Sequence, residues 1–326
     1  MNLPNSLNET QPLVSVITPT YQRPEYLREA IASAVSQTYH NIEIIVSDNF
    51  SPDNPLPMIE EFNDPRIKFF RNDQNVGMLA NVVGAFQKST GKYVASLLDD
   101  DAWQPDFLEK MVLPLEKHPE ASIAFCDHYV VDEYSQIDSI KTERCSQQYK
   151  RDMLSAGLHK PFYELALVHQ AVSPAIAAVI RRDVINWDTL PADIGPLWDI
   201  YLAYLSSADG HAGYYVPERL TRYREHSNTE TMQSGRTNVS AKLAKAQAGV
   251  FCYQTFLNDE RLAVLHPDFE RRLAHHLTTL GVAMMRMSQT QDARPHLLES
   301  LRTQLNLRTA AALVVSFLPE KLALRF

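Results

Sequence analysis

Between residues 13 and 127 the chain alternates short β-branched runs with amphipathic stretches, and this alternation limits the fold more than any other feature. Residues 13–19, Leu-Val-Ser-Val-Ile-Thr-Pro, read as a buried strand. Pro24 then suits the first turn of a helix, where its fixed φ is already helical and its missing N–H is not needed. Leu27, Ala30, Ile31, Ala34 and Val35 follow at helical spacing. The same reading places strands at 42–47, 66–71, 93–98 and 121–127, with helices near 56–62, 78–88 and 105–117. Such repetition predicts a mostly parallel sheet with helices on both faces.

Residues 132–160 are polar and irregular, and a loop of that length is either a lid or binding segment, or simple disorder. A strand at 175–180, a helix from 197 to 207 and two short strands near 213–223 are expected next. From about 237 the texture changes to amphipathic helices at 238–258, 267–287, 291–304 and 308–323. The expected organisation is a flexible stretch over 1–12, an α/β domain over 13–235 and a helical appendage over 236–326. In the last stretch, Ala310, Leu313, Val314, Phe317 and Leu318 accompany Lys321 and Arg325. That pattern fits a helix packed on its neighbours, or an interfacial helix on an anionic membrane.

Composition removes several function classes. The formal net charge is −8 and there is no dense Lys/Arg run, which argues against a nucleic-acid partner. Cys126, Cys145 and Cys252 show neither zinc spacing nor a disulfide framework, which suits a reducing compartment. The first twelve residues lack the basic start and apolar core of a signal peptide, and no run of about 18 apolar residues occurs. A cytoplasmic chain is therefore expected, peripheral at most to the inner face of a membrane. In that setting the Asn-x-Ser/Thr sequons at Asn8 and Asn238 are chance matches. Self-association stays open.

The strongest chemical signal is Leu97-Leu98-Asp99-Asp100-Asp101-Ala102-Trp103, directly after an expected buried strand. Adjacent carboxylates at a strand's C-terminal edge repel one another unless a cation is near. Ligands of open α/β sheets gather at those edges. Mg²⁺ or Mn²⁺ sharing oxygens with a diphosphate would account for the triplet. A solvated acidic turn or cap is the plainer alternative.

Company favours the ligand. Val14 to Arg23 reads Val-Ser-Val-Ile-Thr-Pro-Thr-Tyr-Gln-Arg, and Ile45-Val46-Ser47-Asp48-Asn49-Phe50-Ser51 closes the second strand. Asn72, Asn75, Gly77 and Asn81 follow, then Gly91-Lys92-Tyr93-Val94. The ordered series, over about residues 12–227, resembles the family 2 glycosyltransferases of the GT-A fold. The resemblance implies that Pro19, Thr20 and Tyr21 hold the nucleotide base and ribose, with Arg23 in the same loop. It implies that Asp48 hydrogen-bonds a uracil or thymine ring, that Asn81 belongs to the nucleotide-sugar site, and that Asp99 and Asp101 end an Asp-x-Asp motif. Asp101 would ligate the metal; Asp99, with Asp100 beside it, would face the ribose or a metal-bound water. Tyr21 as core packing and Asp48 as a turn cap are the structural alternatives.

Transfer to a hydroxyl also needs a carboxylate to take the acceptor proton. Asp199, in Leu197-Trp198-Asp199-Ile200-Tyr201-Leu202, resembles the family's catalytic aspartate. The family's usual acidic pair is not reproduced, and a two-residue shift would put Leu197 at the base position. Gly210 and Pro217 fall where the family's glycine and proline follow, which supports Asp199. Arg222-Tyr223-Arg224-Glu225-His226 resembles the family's Arg-x-His segment, implying His226 at the metal and Arg222 and Arg224 as contacts for departing phosphate.

The implied activity is inverting transfer from a UDP- or dTDP-sugar to a glycan or lipid-linked acceptor in bacterial surface-polysaccharide assembly. The 132–160 loop, His169, Gln170 and 173–175 would shape the acceptor side. Competing readings are a nucleotidyltransferase, disfavoured by the absence of glycine in the first strand–loop unit, and a non-catalytic nucleotide-sugar or glycan binder. A dehydrogenase is disfavoured because Gly-x-Gly-x-x-Gly is absent.

Overall fold

The computed structural model describes residues 11–226 and 238–318. They divide into two compact units. The first comprises the chain up to Phe162, His169–Leu190 and Ala203–Arg224; the second comprises Tyr163–Val168, Pro191–Leu202 and the chain from Glu225 onward. Two segments inside the expected 13–235 domain, Tyr163–Val168 and Pro191–Leu202, thus group with the C-terminal helices.

The first unit opens with β1 (Val14–Thr20), α1 (Pro24–Val35), β2 (Ile42–Asp48), α2 (Leu56–Glu60), β3 (Ile67–Arg71), α3 (Met78–Gln87) and β4 (Tyr93–Ser96). After the aspartate triplet come β5 (Ala102–Trp103), α4 (Phe107–Lys117), β6 (Ala121–Val131), α5 (Ser139–Gln148), β7 (Gly157–His159), β8 (Ala178–Arg181) and β9 (Ala212–Arg224). Among the described residues these strands form one sheet in the order β3-β2-β1-β4-β8-β6-β9-β5, with β7 also on β9.

Pairing is parallel among β3, β2, β1 and β4, as the strand–helix alternation requires. Beyond β4 the sheet becomes mixed: β8 is antiparallel to both β4 and β6, and β5 and β7 are antiparallel to β9, while β6 and β9 run parallel. The expected parallel character therefore holds for the N-terminal half. Register sets the site. Thr20 lies opposite Asp48, and Asp48 opposite Arg71, so three strand ends finish side by side.

Val14 and Val16 of β1 and Ile44 and Val46 of β2 join Leu27 and Ile31 of α1 and Phe107 and Met111 of α4 in the main core. Each such fully buried side chain contributes roughly 1.5–3 kcal/mol. Gly91 marks a close approach: a Cβ there would stand 2.7 Å from the Leu13 carbonyl and 2.8 Å from Ser15 N and Oγ.

Two expectations are corrected. The 132–160 stretch contains a helix, α5, capped by Asp138, whose side chain accepts from Lys141 N. Its buried positions are Thr142 and Ser146. Thr142 Oγ1 accepts from Val130 N and Ser146 Oγ donates to Asp127, so a polar face replaces the apolar stripe that pattern reading looks for. The two short strands near 213–223 are one strand, β9, whose register against β6 shifts around Asp127. Pro217 sits exposed near that irregularity, which makes the run look broken in sequence.

The second unit carries α7 (Val239–Leu257), α8 (His266–Arg286), α9 (Thr290–Thr303) and α10 (Leu307–Val315). Thr309 and Ala312 of α10 are buried, whereas Val314 and the following Phe317 are exposed. Lys321 and Arg325 lie outside the described residues. No described helix is long and apolar enough to cross a membrane.

Candidate active site

The carboxylates gather where β1 ends. Thr20 Oγ1 donates to Asp99 Oδ2 at 2.8 Å, and Tyr21 N donates to the same oxygen at 3.2 Å. Arg23 Nη1 bridges Asp99 Oδ1 at 3.0 Å and Asp100 Oδ2 at 2.7 Å. The sequence-predicted loop and triplet thus meet. Pro19 is half-buried on β1, and Tyr21 keeps an exposed ring. Beside them a cleft of ≈ 320 Å³ is walled by Thr20, Gln22, Arg23, Ser51 and Pro52 among others.

Asp101 has a different environment. Its Oδ1 accepts from Arg224 N at 2.8 Å, while Oδ2 is buried with no hydrogen-bond partner. Burial first, and then the charge of Asp100, hold the Asp101 carboxyl well above the usual carboxylate range. Asp99 is raised for the same two reasons, against the pull of Arg23. An unpartnered, buried oxygen in an acidic triplet is the donor a divalent cation would use. Among the described residues no three His, Cys, Asp or Glu side chains are grouped to hold a metal. Asp101 Oδ2 is an oxygen of the kind that hard cations such as Mg²⁺ or Mn²⁺ take as a ligand.

Asp48 is fully buried and held by several donors. Ser51 Oγ and N reach it at 2.5 and 3.2 Å, and Arg71 Nη1 at 2.7 Å. The Arg71 guanidinium also lies 5.1 Å from the centre of the half-exposed Phe50 ring and donates to Ser51 O. Sequence reasoning missed Arg71 and Ser51. Ser51 is visible as a turn residue three positions past Asp48, but Arg71 is found only through the β2–β3 register.

Three expected roles change. Arg224 is 2% exposed, so it is no phosphate contact. Its guanidinium donates to Asp100 O, Asp132 O, Ser135 Oγ and Glu29, and lies over Tyr26. Burial in β9 makes it an internal clamp on the triplet. Asn81 is also turned inward: Oδ1 accepts from Ser47 Oγ and Asn72 Nδ2, and Nδ2 donates to Ser47 O. It braces the end of β2 against α3. The 132–160 segment is tied down by Arg151, which pairs with Asp127 and donates to Ala171 O and Ser173 O. That bracket fixes the 169–175 segment.

Arg222 is half-buried opposite Ala102. Asp199 stands in the first turn of α6 (Trp198–Ser207), within a segment of the second unit, and accepts from Ile200 N at 2.8 Å. Leu197, the alternative register, is buried. His226 falls in the second unit, two residues after Arg224.

The glycosyl transferase family 2 profile matches residues 15–176. A glycosyltransferase of Haemophilus influenzae is 32% identical over 253 residues, covering 73% of this chain and 74% of its own. The chain belongs to this family. A putative teichuronic acid biosynthesis glycosyltransferase, TuaG of Bacillus subtilis, is 35% identical over 117 residues, 35% of this chain and 45% of its own. Among solved structures, residues 1–349 of S. aureus TarS in complex with UDP-GlcNAc superpose with TM-score 0.65 at 15% identity, over 95% of this chain and 90% of that one. The mannosyltransferase PcManGT from Pyrobaculum calidifontis, in complex with GDP-Man and Mn²⁺, gives TM-score 0.54 at 16% identity, over 94% and 88%. The fold of this glycosyltransferase is thus the GT-A fold, a central sheet flanked by helices, and the nucleotidyltransferase and dehydrogenase readings fall away.

Proposed function

We propose that this glycosyltransferase moves a sugar, with inversion, from a UDP- or dTDP-sugar to a hydroxyl of a glycan or lipid-linked acceptor in cell-surface polysaccharide assembly. The observation that carries the reading is the unpartnered, buried Asp101 Oδ2 in a triplet already gripped by the Thr20–Arg23 loop. The UDP-GlcNAc bound to TarS, the Mn²⁺ with PcManGT and the teichuronic acid assignment of TuaG support the donor type, the cation and the pathway class.

The cleft beside Ser51 and Arg23 receives the nucleoside, with Pro19, Thr20 and Tyr21 along base and ribose. Asp48 and Arg71, held together, read the pyrimidine edge. Asp101, with His226, would hold Mn²⁺ or Mg²⁺. When bound, that cation neutralises charge on the diphosphate. Asp199 accepts the acceptor hydroxyl's proton as the new C–O bond forms and the bond from the anomeric carbon to diphosphate breaks. Arg222 is the remaining candidate for a phosphate contact.

Asp199→Asn is expected to abolish transfer while leaving nucleotide binding intact; equal loss of both removes Asp199 from its role. A thermal-shift screen of nucleoside diphosphates, with and without Mn²⁺, tests the donor class. Metal-dependent stabilisation by UDP or dTDP alone is the expected result. Stabilisation by purine diphosphates instead would contradict it.

A further inference from the structure

Each of the first three parallel strands is followed by a large apolar side chain that stays in water. They are Tyr21 after β1 at 39% exposure, Phe50 after β2 at 47% and Val76 in the loop after β3 at 43%. All three stand at the C-terminal edge of the sheet, where α/β folds take their ligands. Phe50 is the most costly of them. Its φ of 64° lies in the left-handed region, which a bulky side chain rarely adopts and glycine enters freely. Glycine at this position would remove both the strained backbone and the exposed ring.

The turn that carries the ring is held from both sides, by the buried Asn49 and Ser51. Asn49 N donates to Thr20 O at 2.9 Å, and the Asn49 side chain accepts from Val76 N at 2.9 Å and donates to Asn75 Oδ1 at 3.0 Å. Ser51 Oγ accepts from Gln22 N at 2.9 Å and donates to Asp48. With both neighbours bound inward, the Phe50 side chain is left outside the core. Arg71, which grips Asp48, also reaches the ring. An apolar ring and a charged, hydrogen-bonding pair therefore adjoin at one strand end.

We propose that Phe50 is a base-stacking residue of the donor site, its ring lying against the flat face of the nucleobase while Asp48 and Arg71 address the polar edge. This role rests on the reading of that pair given above and adds the surface on which the base lies. A flat group with an apolar face and a polar rim uses both features, and a nucleobase is such a group. Left-handed backbone at a bulky residue persists where its surroundings over-determine it, as the bonds of Asn49 and Ser51 do here. Stacking is indifferent to which base is bound, so Phe50 sets affinity for the nucleoside and Asp48 sets the choice among bases.

Calorimetric titration of the full chain in Mn²⁺ with UDP, and separately with pyrophosphate, tests this. Phe50→Gly and Phe50→Ala should each weaken UDP binding about 10-fold and leave pyrophosphate binding unchanged, because pyrophosphate has no base. Phe50→Tyr, which keeps the ring, should bind UDP within about twofold of the wild type. The ligand-free melting temperature of Phe50→Gly should equal or exceed that of the wild type, since glycine accepts this φ. A lower one marks the ring as structural and overturns the proposal, as does an equal loss for UDP and pyrophosphate. Transfer lost with UDP binding intact assigns the ring to the sugar or the acceptor, and also overturns it. If the wild type binds UDP no better than pyrophosphate, the base-reading pair falls and the stacking with it. If the wild type favours UDP and Phe50→Gly does so equally, only the stacking falls.

Discussion

Asp101 has one oxygen held by the Arg224 amide and the other unpartnered at 1% exposure. A buried carboxylate in that state opposes folding, a cost that the proposed cation would offset. Asp101→Asn keeps an acceptor for Arg224 N and removes the charge. The metal-free variant should therefore melt at the same temperature as the wild type or higher, while its Mn²⁺-dependent stabilisation by nucleotide vanishes and transfer falls by about 100-fold or more. Scanning fluorimetry with and without Mn²⁺ separates these effects; a lower melting temperature without metal would mean the carboxylate is structural. At this scale the sequence is informative where chemistry is local. The Asp99–Asp101 triplet, Asp48 and the Thr20–Arg23 loop are all legible. Arg71 is not, because it reaches Asp48 only through strand pairing, and Arg224 misleads because a buried arginine and a phosphate-binding one look alike in sequence.

β1 to β4, β6 and the helices α1, α2 and α4 are legible because each brings its own apolar residues to one core, whereas β5 is two residues long and carries no period to read. The expected 121–127 strand continues to Val131, its alternation blurred where the β6–β9 register shifts. α5 escapes pattern reading for the opposite reason, since Thr142 and Ser146 fill its inner face. The packing of β1 against the α3–β4 connection gives a prediction at this level. Gly91 N donates to Ser15 Oγ at 2.9 Å, and its missing Cβ leaves room for the Leu13 carbonyl. Gly91→Ala must push backbone aside, so a loss of about 2 kcal/mol or more is expected in urea unfolding. A loss of only a few tenths would show that the strand end yields freely.

Both units carry an imidazole whose proton affinity falls on folding. Burial, and then the Arg151 guanidinium, push His128 down to about 3; Arg151 Nη1, always a donor, lies 2.6 Å from its Nδ1 and so leaves the ring proton on Nε2. Burial, and then His275, Lys245 and Arg272, push His276 down to about 4. The unfolded chain takes up these protons near pH 6.5 and the folded one only near 3 to 4, so the unfolded state binds more protons in between. Stability from both groups is full above about pH 6.5 and declines as acid is added, by a few kcal/mol in all. The raised Asp99 and Asp101 carboxyls act with the opposite sign over this range, so the test is a comparison: between about pH 7 and 5 the urea midpoint of His276→Gln should fall less than that of the wild type, and an unchanged difference between the two across this range refutes the assignment. The sheet order carries a last consequence. Arg71 belongs to the outermost strand of its edge, whereas the aspartate triplet follows β4 in the interior of the sheet. On the proposed reading, preference for one base over another is tuned at a border that can be remodelled without disturbing the bond-making groups, so related enzymes can diverge in the donor they accept while sharing one reaction.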